Sequence, residues 1–123
     1  MGWPLTPESL YYGVKFYAER YNQPIVITEN GAAFDDWVCL DGKVHDAQRS
    51  DFIARYLKEL KKAAKEFDVD GYFYWTWQDN FEWNNGLDKR FGMVYVDFQT
   101  QRRTLKDSAY FYGDIIKNNG NNL

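Results

Sequence analysis

An α/β fold is what this sequence predicts. Helix-type and strand-type patterns alternate along the chain, and the strand-type runs are short, apolar and rich in β-branched or aromatic residues. Each of the two clearest runs also ends in a segment that carries carboxylates, as in folds whose function collects at the C-terminal ends of parallel strands.

The first helix is expected from Thr6, which can cap, with Pro7 in the first turn and a stripe of Leu10, Val14, Tyr17, Ala18 and Tyr21; it must end before Pro24. The run Pro24-Ile25-Val26-Ile27-Thr28 follows and reads as a strand buried on both faces, with Glu29 at its C-terminal end. Residues 30–45 read as a loop, with Asn30-Gly31, Asp35-Asp36 and Asp41-Gly42 supplying turn chemistry. Asp46 can then cap a second helix whose apolar face is Phe52, Ile53, Tyr56, Leu57, Leu60, Ala64 and Phe67, with charge on the other face. After Asp70-Gly71 a second strand is expected from Tyr72 to Trp77. It runs into the polar and aromatic segment Gln78-Asp79-Asn80-Phe81-Glu82-Trp83. Met93 to Phe98 should be extended, Gln99-Thr100-Gln101 should turn, and a last helix should run from about Asp107 to Asn118, leaving residues 119–123 as a frayed tail.

Composition narrows the possible functions. A net charge of −3 with no long basic run argues against nucleic acid. A single cysteine, Cys39, rules out an intrachain disulfide and suits a reducing compartment. No stretch approaches the ~20 apolar residues that span a bilayer, and no leader pattern is visible at the N-terminus, so the expectation is a soluble, cytoplasmic protein without a membrane partner. His45, the only histidine, does not form a zinc-ligand spacing with Cys39. It reads as a loop or helix-start contact, and no metal is expected. The pairs Lys89-Arg90 and Arg102-Arg103 read as solvated or paired with acids. Neither a phosphate-binding glycine loop nor a nucleophile elbow is present.

The chemistry lies in two places. Glu29 holds a carboxylate at the rim of a buried sheet, which suits a nucleophile or general base, although position alone fits a solvated loop carboxylate equally well. Around the second strand end, Trp75, Trp77, Asp79, Asn80, Phe81, Glu82 and Trp83 set flat apolar rings beside hydrogen-bonding groups, which suits a sugar. The alternative is that these rings are core, with Asp79 and Asn80 as turn or capping residues. Read on their own, Glu29 and Glu82 could form a nucleophile and acid pair.

The segment Ile27-Thr28-Glu29-Asn30-Gly31-Ala32 resembles the nucleophile signature of glycoside hydrolase family 1. The resemblance continues, in the family's order, through Val44-His45-Asp46, Asp79-Asn80-Phe81-Glu82-Trp83, Lys89-Arg90-Phe91-Gly92, Val94-Tyr95-Val96-Asp97, Thr100-Gln101 and Lys106-Asp107-Ser108-Ala109. It spans almost the whole chain, beginning with Met1-Gly2-Trp3. It implies a partial (β/α)8 barrel: the last two β/α units, a short extended segment and a C-terminal helix, all belonging to one catalytic domain. The chain's 123 residues fall short of the ~250 of a complete barrel.

The resemblance also implies roles. Glu29 would be the nucleophile of a retaining β-glycosidase, Trp75 the stacking platform, Glu82 a ligand of the O4 and O6 hydroxyls, Trp83 an indole N–H donor, and Phe91 a pocket wall near O6. Trp77 and Gln78 depart from the family, which usually has smaller or aliphatic residues there. The family's acid/base sits in an Asn-Glu-Pro motif that this sequence lacks, and further glycone residues on earlier strands are also missing. The expected ligand is a β-glycoside or glucose-like sugar, with no cofactor and no metal. The expected partner is the N-terminal portion of the barrel or further copies of the chain. Without one, the chain would be an inactive or merely sugar-binding truncated fragment.

Overall fold

The computed structural model describes residues 2–123; Met1, the first residue of the Met1-Gly2-Trp3 segment, lies outside the described residues. Helix α1 spans Glu8–Tyr21, directly behind Pro7, whose φ of −54° is already helical. Thr6 does not cap with its side chain. Its carbonyl accepts from the Ser9 N–H at 2.9 Å, and its own N–H donates to Tyr56 Oη at 3.1 Å. The helix ends as Asn22 turns left-handed, its N–H donating to the Ala18 carbonyl. Of the expected stripe, Val14 is buried and Leu10 packs on the core, but Tyr17 and Tyr21 are exposed, since no described residue covers that side.

Strand β1 (Ile25–Asn30) pairs in parallel with β2 (Val69–Tyr74), which confirms the alternating α/β reading. Burial on both faces is corrected: Ile25 and Ile27 are half-buried against the core, while Val26 and Thr28 are exposed. β2 starts at Val69 and stops at Tyr74, earlier at both ends than its composition suggests. Parallel pairing draws Asp70 and Gly71 into the ladder, with Gly71 opposite Val26, and the chain leaves it at Trp75, before a cis Trp75–Thr76 peptide.

Helix α2 (Ala47–Ala63) buries Phe52, Ile53, Tyr56, Leu57, Leu60 and Ala63 in the main core, which is closed by α1 and α3 (Asp107–Lys117). Ala63, not Ala64, faces inward. The expected extended segment is β3 (Val94–Val96), and it forms an antiparallel hairpin with β4 (Arg103–Leu105), a strand too short to stand out in the sequence. Its turn is tied by Asp97, whose carboxylate accepts from the Gln99 and Thr100 N–H groups and from Thr100 Oγ1. Residues 118–122 continue as turns after α3, with the Gly120 carbonyl accepting from Lys61 Nζ at 2.7 Å and Leu123 packed on the core. Among the described residues the two strand pairs do not close into a barrel. None of the described helices is long and apolar enough to cross a membrane.

Candidate functional site

Glu29 stands where the β1–β2 ladder loses its regular register. Ile27 is opposite Tyr72 and Asn30 opposite Tyr74, so β1 advances three residues while β2 advances two. The extra residue makes a bulge over Thr28-Glu29, a device that bends a strand and re-aims a side chain. The Glu29 side chain is exposed, at one end of an open groove of about 700 Å³ between β1 and the outer face of α1.

Just beyond the bulge the rim is rigid. Tyr72 Oη donates to Asn30 Oδ1 at 3.0 Å, and burial pushes the Tyr72 phenol well above its ordinary pKa, which keeps it a donor. The Trp75 N–H donates to the Asn30 carbonyl at 3.0 Å. At Gly31 a Cβ would fall 1.7 Å from the Trp75 carbonyl oxygen. Close approach of two strand ends, rather than turn conformation, therefore requires glycine after Asn30. Glu29 and Trp75 thus sit on adjoining strand ends that are locked together.

Phe91 joins the same rim through its backbone: its carbonyl accepts from the Thr76 N–H at 3.3 Å and from Tyr74 Oη at 3.1 Å. Its ring is 5% exposed and lines a smaller cleft of about 240 Å³ with Gly31, Phe34 and Tyr56. Glu82 and Trp83 lie on the loop that follows β2. The Asn85 N–H donates to the Glu82 carbonyl at 2.7 Å in a one-turn 3-10 helix, Trp83–Asn85, and the Glu82 N–H donates to the Gly86 carbonyl at 2.7 Å. Glu82 is half-buried and Trp83 is 82% exposed. Of the aromatic residues read as sugar-facing or core, Trp77, Phe81 and Trp83 are exposed, so they are not core in this chain.

What the sequence did not disclose is the ionic cage beneath this loop. Asp79 is 2% exposed and is neither a turn residue nor a cap. Its Oδ1 takes the Lys106 ammonium at 2.8 Å and the Gly92 N–H at 3.0 Å, and its Oδ2 takes Arg90 at 2.6 Å. Lys106 also reaches Asp36 at 2.6 Å, and Asp36 meets Arg49 at 2.7 Å. Arg49 completes the circuit on Asp46. Asp46 in turn stands at the N-cap of α2, where its carbonyl accepts from the Arg49 and Ser50 N–H groups, but its carboxylate makes no cap bond and instead accepts from the Ser108 N–H at 2.8 Å and from Ser108 Oγ.

Asp36, Asp46 and Asp79 balance Arg49, Arg90 and Lys106, so the formal charges cancel. Burial and the nearby Arg49 guanidinium pull the Lys106 ammonium's pKa down, against the two carboxylates that hold it up. At Gly92 a Cβ would meet the Asp79 nitrogen at 2.1 Å, so the Phe91-Gly92 segment lies flat on the start of the Glu82 loop. The cage ties that loop to α2 and α3. No local pattern could reveal it, since Lys106 and its acids lie 27 and 70 positions apart in the chain.

His45 makes the helix-start contact expected of it: Nδ1 lies 2.6 Å from Asp107 of α3. Nε2 faces Asp41 at 3.1 Å. Contrary to the sequence reading, the structure does bring Cys39 to His45: ligand atoms of Cys39, Asp41 and His45 lie within 4.8 Å of one another.

Comparison with known proteins accords with these features. The profile described as glycosyl hydrolase family 1 matches residues 1–121. A β-glucosidase A from Thermotoga maritima is 51% identical over 122 residues, covering 98% of this chain and 27% of that protein. A 1,4-β-D-glucan glucohydrolase from Thermotoga neapolitana is 50% identical over 98% of this chain and 28% of its own length. Among solved structures, the family 1 β-glucosidase from Thermotoga maritima in complex with isofagomine lactam superposes with a TM-score of 0.95 at 49% identity, over 98% of this chain and 28% of that one. The chain thus spans little more than a quarter of the length of the relatives it matches.

Proposed function

This chain belongs to glycosyl hydrolase family 1 and corresponds to the family's C-terminal part, and from that premise we propose that it supplies the nucleophile half of a retaining β-glycosidase, acting on β-glucosides. In this reading it provides the last two β/α units of a (β/α)8 barrel. The observation that carries the proposal is Glu29 on the bulge at the carboxyl end of a parallel strand, where catalytic side chains of barrel enzymes are placed.

Glu29 attacks the anomeric carbon as the bond to the leaving oxygen breaks, and forms the glycosyl-enzyme ester; water then cleaves that ester and regenerates the carboxylate. The chemistry needs a second carboxyl group, ~5–5.5 Å from the first, to protonate the leaving oxygen. Glu82 is assigned to sugar hydroxyls, with Trp75 stacking on the ring, Trp83 donating its indole N–H and Phe91 walling the O6 side. The acid comes from an Asn-Glu-Pro segment that this sequence does not contain.

A second reading, that the isolated chain is inactive, is favoured by the open strand pair. Val26 and Phe73 are exposed along it, and unpaired strand edges and apolar faces call for neighbours. The two readings meet in one statement: the chain is silent alone and active when the N-terminal portion of a family 1 barrel covers it.

The test is hydrolysis of an aryl β-glucoside by the purified chain, alone and mixed with a separately produced N-terminal portion. Turnover should appear only in the mixture and fall by at least about 10³-fold in Glu29→Gln, as when other catalytic nucleophiles are removed. A mixture that turns over equally well with Glu29→Gln would overturn the assignment. Turnover by the chain alone would overturn the dependence on a partner.

A further inference from the structure

We propose that Cys39, Asp41 and His45 form a binding site for a zinc-class divalent cation, separate from the glycone residues, in the loop between β1 and α2. The donor set is a thiol, a carboxylate and an imidazole. Borderline-soft cations prefer this mixture, and hard cations such as Mg²⁺ do not. The three ligand atoms lie within 4.8 Å of one another on a side of the molecule where Asp41 and His45 are exposed, so they can draw in to a tetrahedral ion whose fourth position is left to water.

The backbone prepares this arrangement. The Cys39 N–H donates to the Lys43 carbonyl at 2.7 Å and the Gly42 N–H to the Cys39 carbonyl at 2.9 Å, closing a tight turn that sets Cys39 and Asp41 near each other. Gly42 adopts φ +79°, which only glycine takes without strain. The Lys43 N–H binds Asp41 Oδ1 at 3.1 Å and leaves Oδ2 directed at the histidine. Val44, buried at 1% exposure, anchors the far end, because its carbonyl accepts from the Asp107 N–H at 3.0 Å.

His45 carries the arrangement of a metal ligand. Asp107 accepts from Nδ1 at 2.6 Å, the outer carboxylate contact that orients a ligating imidazole and makes it more basic. The ring then presents Nε2 to Asp41 and Cys39. Nε2 lies 3.1 Å from Asp41 Oδ2, so a cation bound there would sit between the two side chains. The site would staple the loop leaving the Glu29 rim to the start of α3.

The experiment is zinc titration of the full chain by calorimetry, with cobalt as a second probe, since a thiolate ligand gives cobalt a near-ultraviolet charge-transfer band. One zinc per chain is expected, with the band present. Cys39→Ser should abolish the band, and His45→Asn should abolish binding. Asp107→Asn should weaken zinc affinity by about 10- to 100-fold while leaving the three ligands in place. All three positions are solvent-accessible, and circular dichroism verifies that each variant is folded. Failure of the wild-type chain to bind zinc, or binding that survives both Cys39→Ser and His45→Asn, would overturn the site. Neither result depends on glycosidase activity, so the test stands or falls apart from the catalytic reading.

Discussion

Around Asp79, buried charges meet their opposites within the chain, whereas along the β1–β2 pair large apolar side chains stand open to solvent. The cage is satisfied almost entirely from within: acids and bases from separate stretches of sequence neutralise one another, backbone donors such as the Gly92 and Ser108 N–H groups take further lone pairs, and of its polar side-chain atoms Arg49 Nε is left without a partner among the described residues. The sheet is not. Its core-facing side packs on the main core, but its other side, with Val26 and Phe73, has no cover among the described residues. The difference is one of energetic tolerance. A buried charge without its partner cannot be borne, while an exposed apolar face can be, provided something later covers it. The part that holds the Glu82 loop is thus closed, and the part that bears Glu29 is left open.

That contrast can be broken most severely at Asp79. Asp79→Ala leaves Lys106 and Arg90 without their shared carboxylate, and removing one member of a buried pair costs about 3–5 kcal/mol. Urea denaturation should show a loss of that order. A change below about 1 kcal/mol would mean that the cage is not a structural unit.

Gly31→Ala probes the other region. A methyl group must displace the Trp75 carbonyl, which calls for a backbone shift costing roughly 1–3 kcal/mol. It should also alter Trp75 emission and disable the complemented enzyme, because Glu29 and Trp75 share that junction. Tyr56→Phe, which removes the acceptor for the Thr6 N–H, should cost about 1 kcal/mol and leave the rim unaffected.

The smallest effect concerns pH. Hydrogen bonds from Thr100 Oγ1 and the Gln99 and Thr100 N–H groups hold the Asp97 carboxyl below the ordinary aspartate pKa. The stabilisation is therefore present above that value and is lost as pH falls through the lower folded pKa. In Asp97→Asn this small acid limb of the melting curve against pH should disappear.

Much of the helix and strand order was legible in the sequence, because α1, β1 and α2 carry their periodicity in contiguous residues. The bulge at Glu29 was not, since it arises from pairing with residues more than forty positions away. Gly71 reads as a turn residue until a parallel neighbour draws it into a strand, and Asp46 reads as a helix cap until Ser108 claims its carboxylate. Nothing local marks Arg49 and Lys106 as buried, since their partners Asp36 and Asp79 lie elsewhere in the chain. The site followed the same rule. The backbone contacts that link the neighbourhoods of Glu29, Trp75 and Phe91, like the cage beneath Glu82 and Trp83, emerged only from long-range packing.

The most direct test of the central claim is the intact mass of the chain after exposure to an activated 2-deoxy-2-fluoro-β-glucoside, with and without the N-terminal portion of the barrel. Such a sugar forms the glycosyl-enzyme but is slow to leave it. The account predicts one added fluoroglucosyl group, located on Glu29 by peptide mapping and seen only when the partner is present. A label on another residue, or steady turnover with no trapped ester on Glu29, would contradict it.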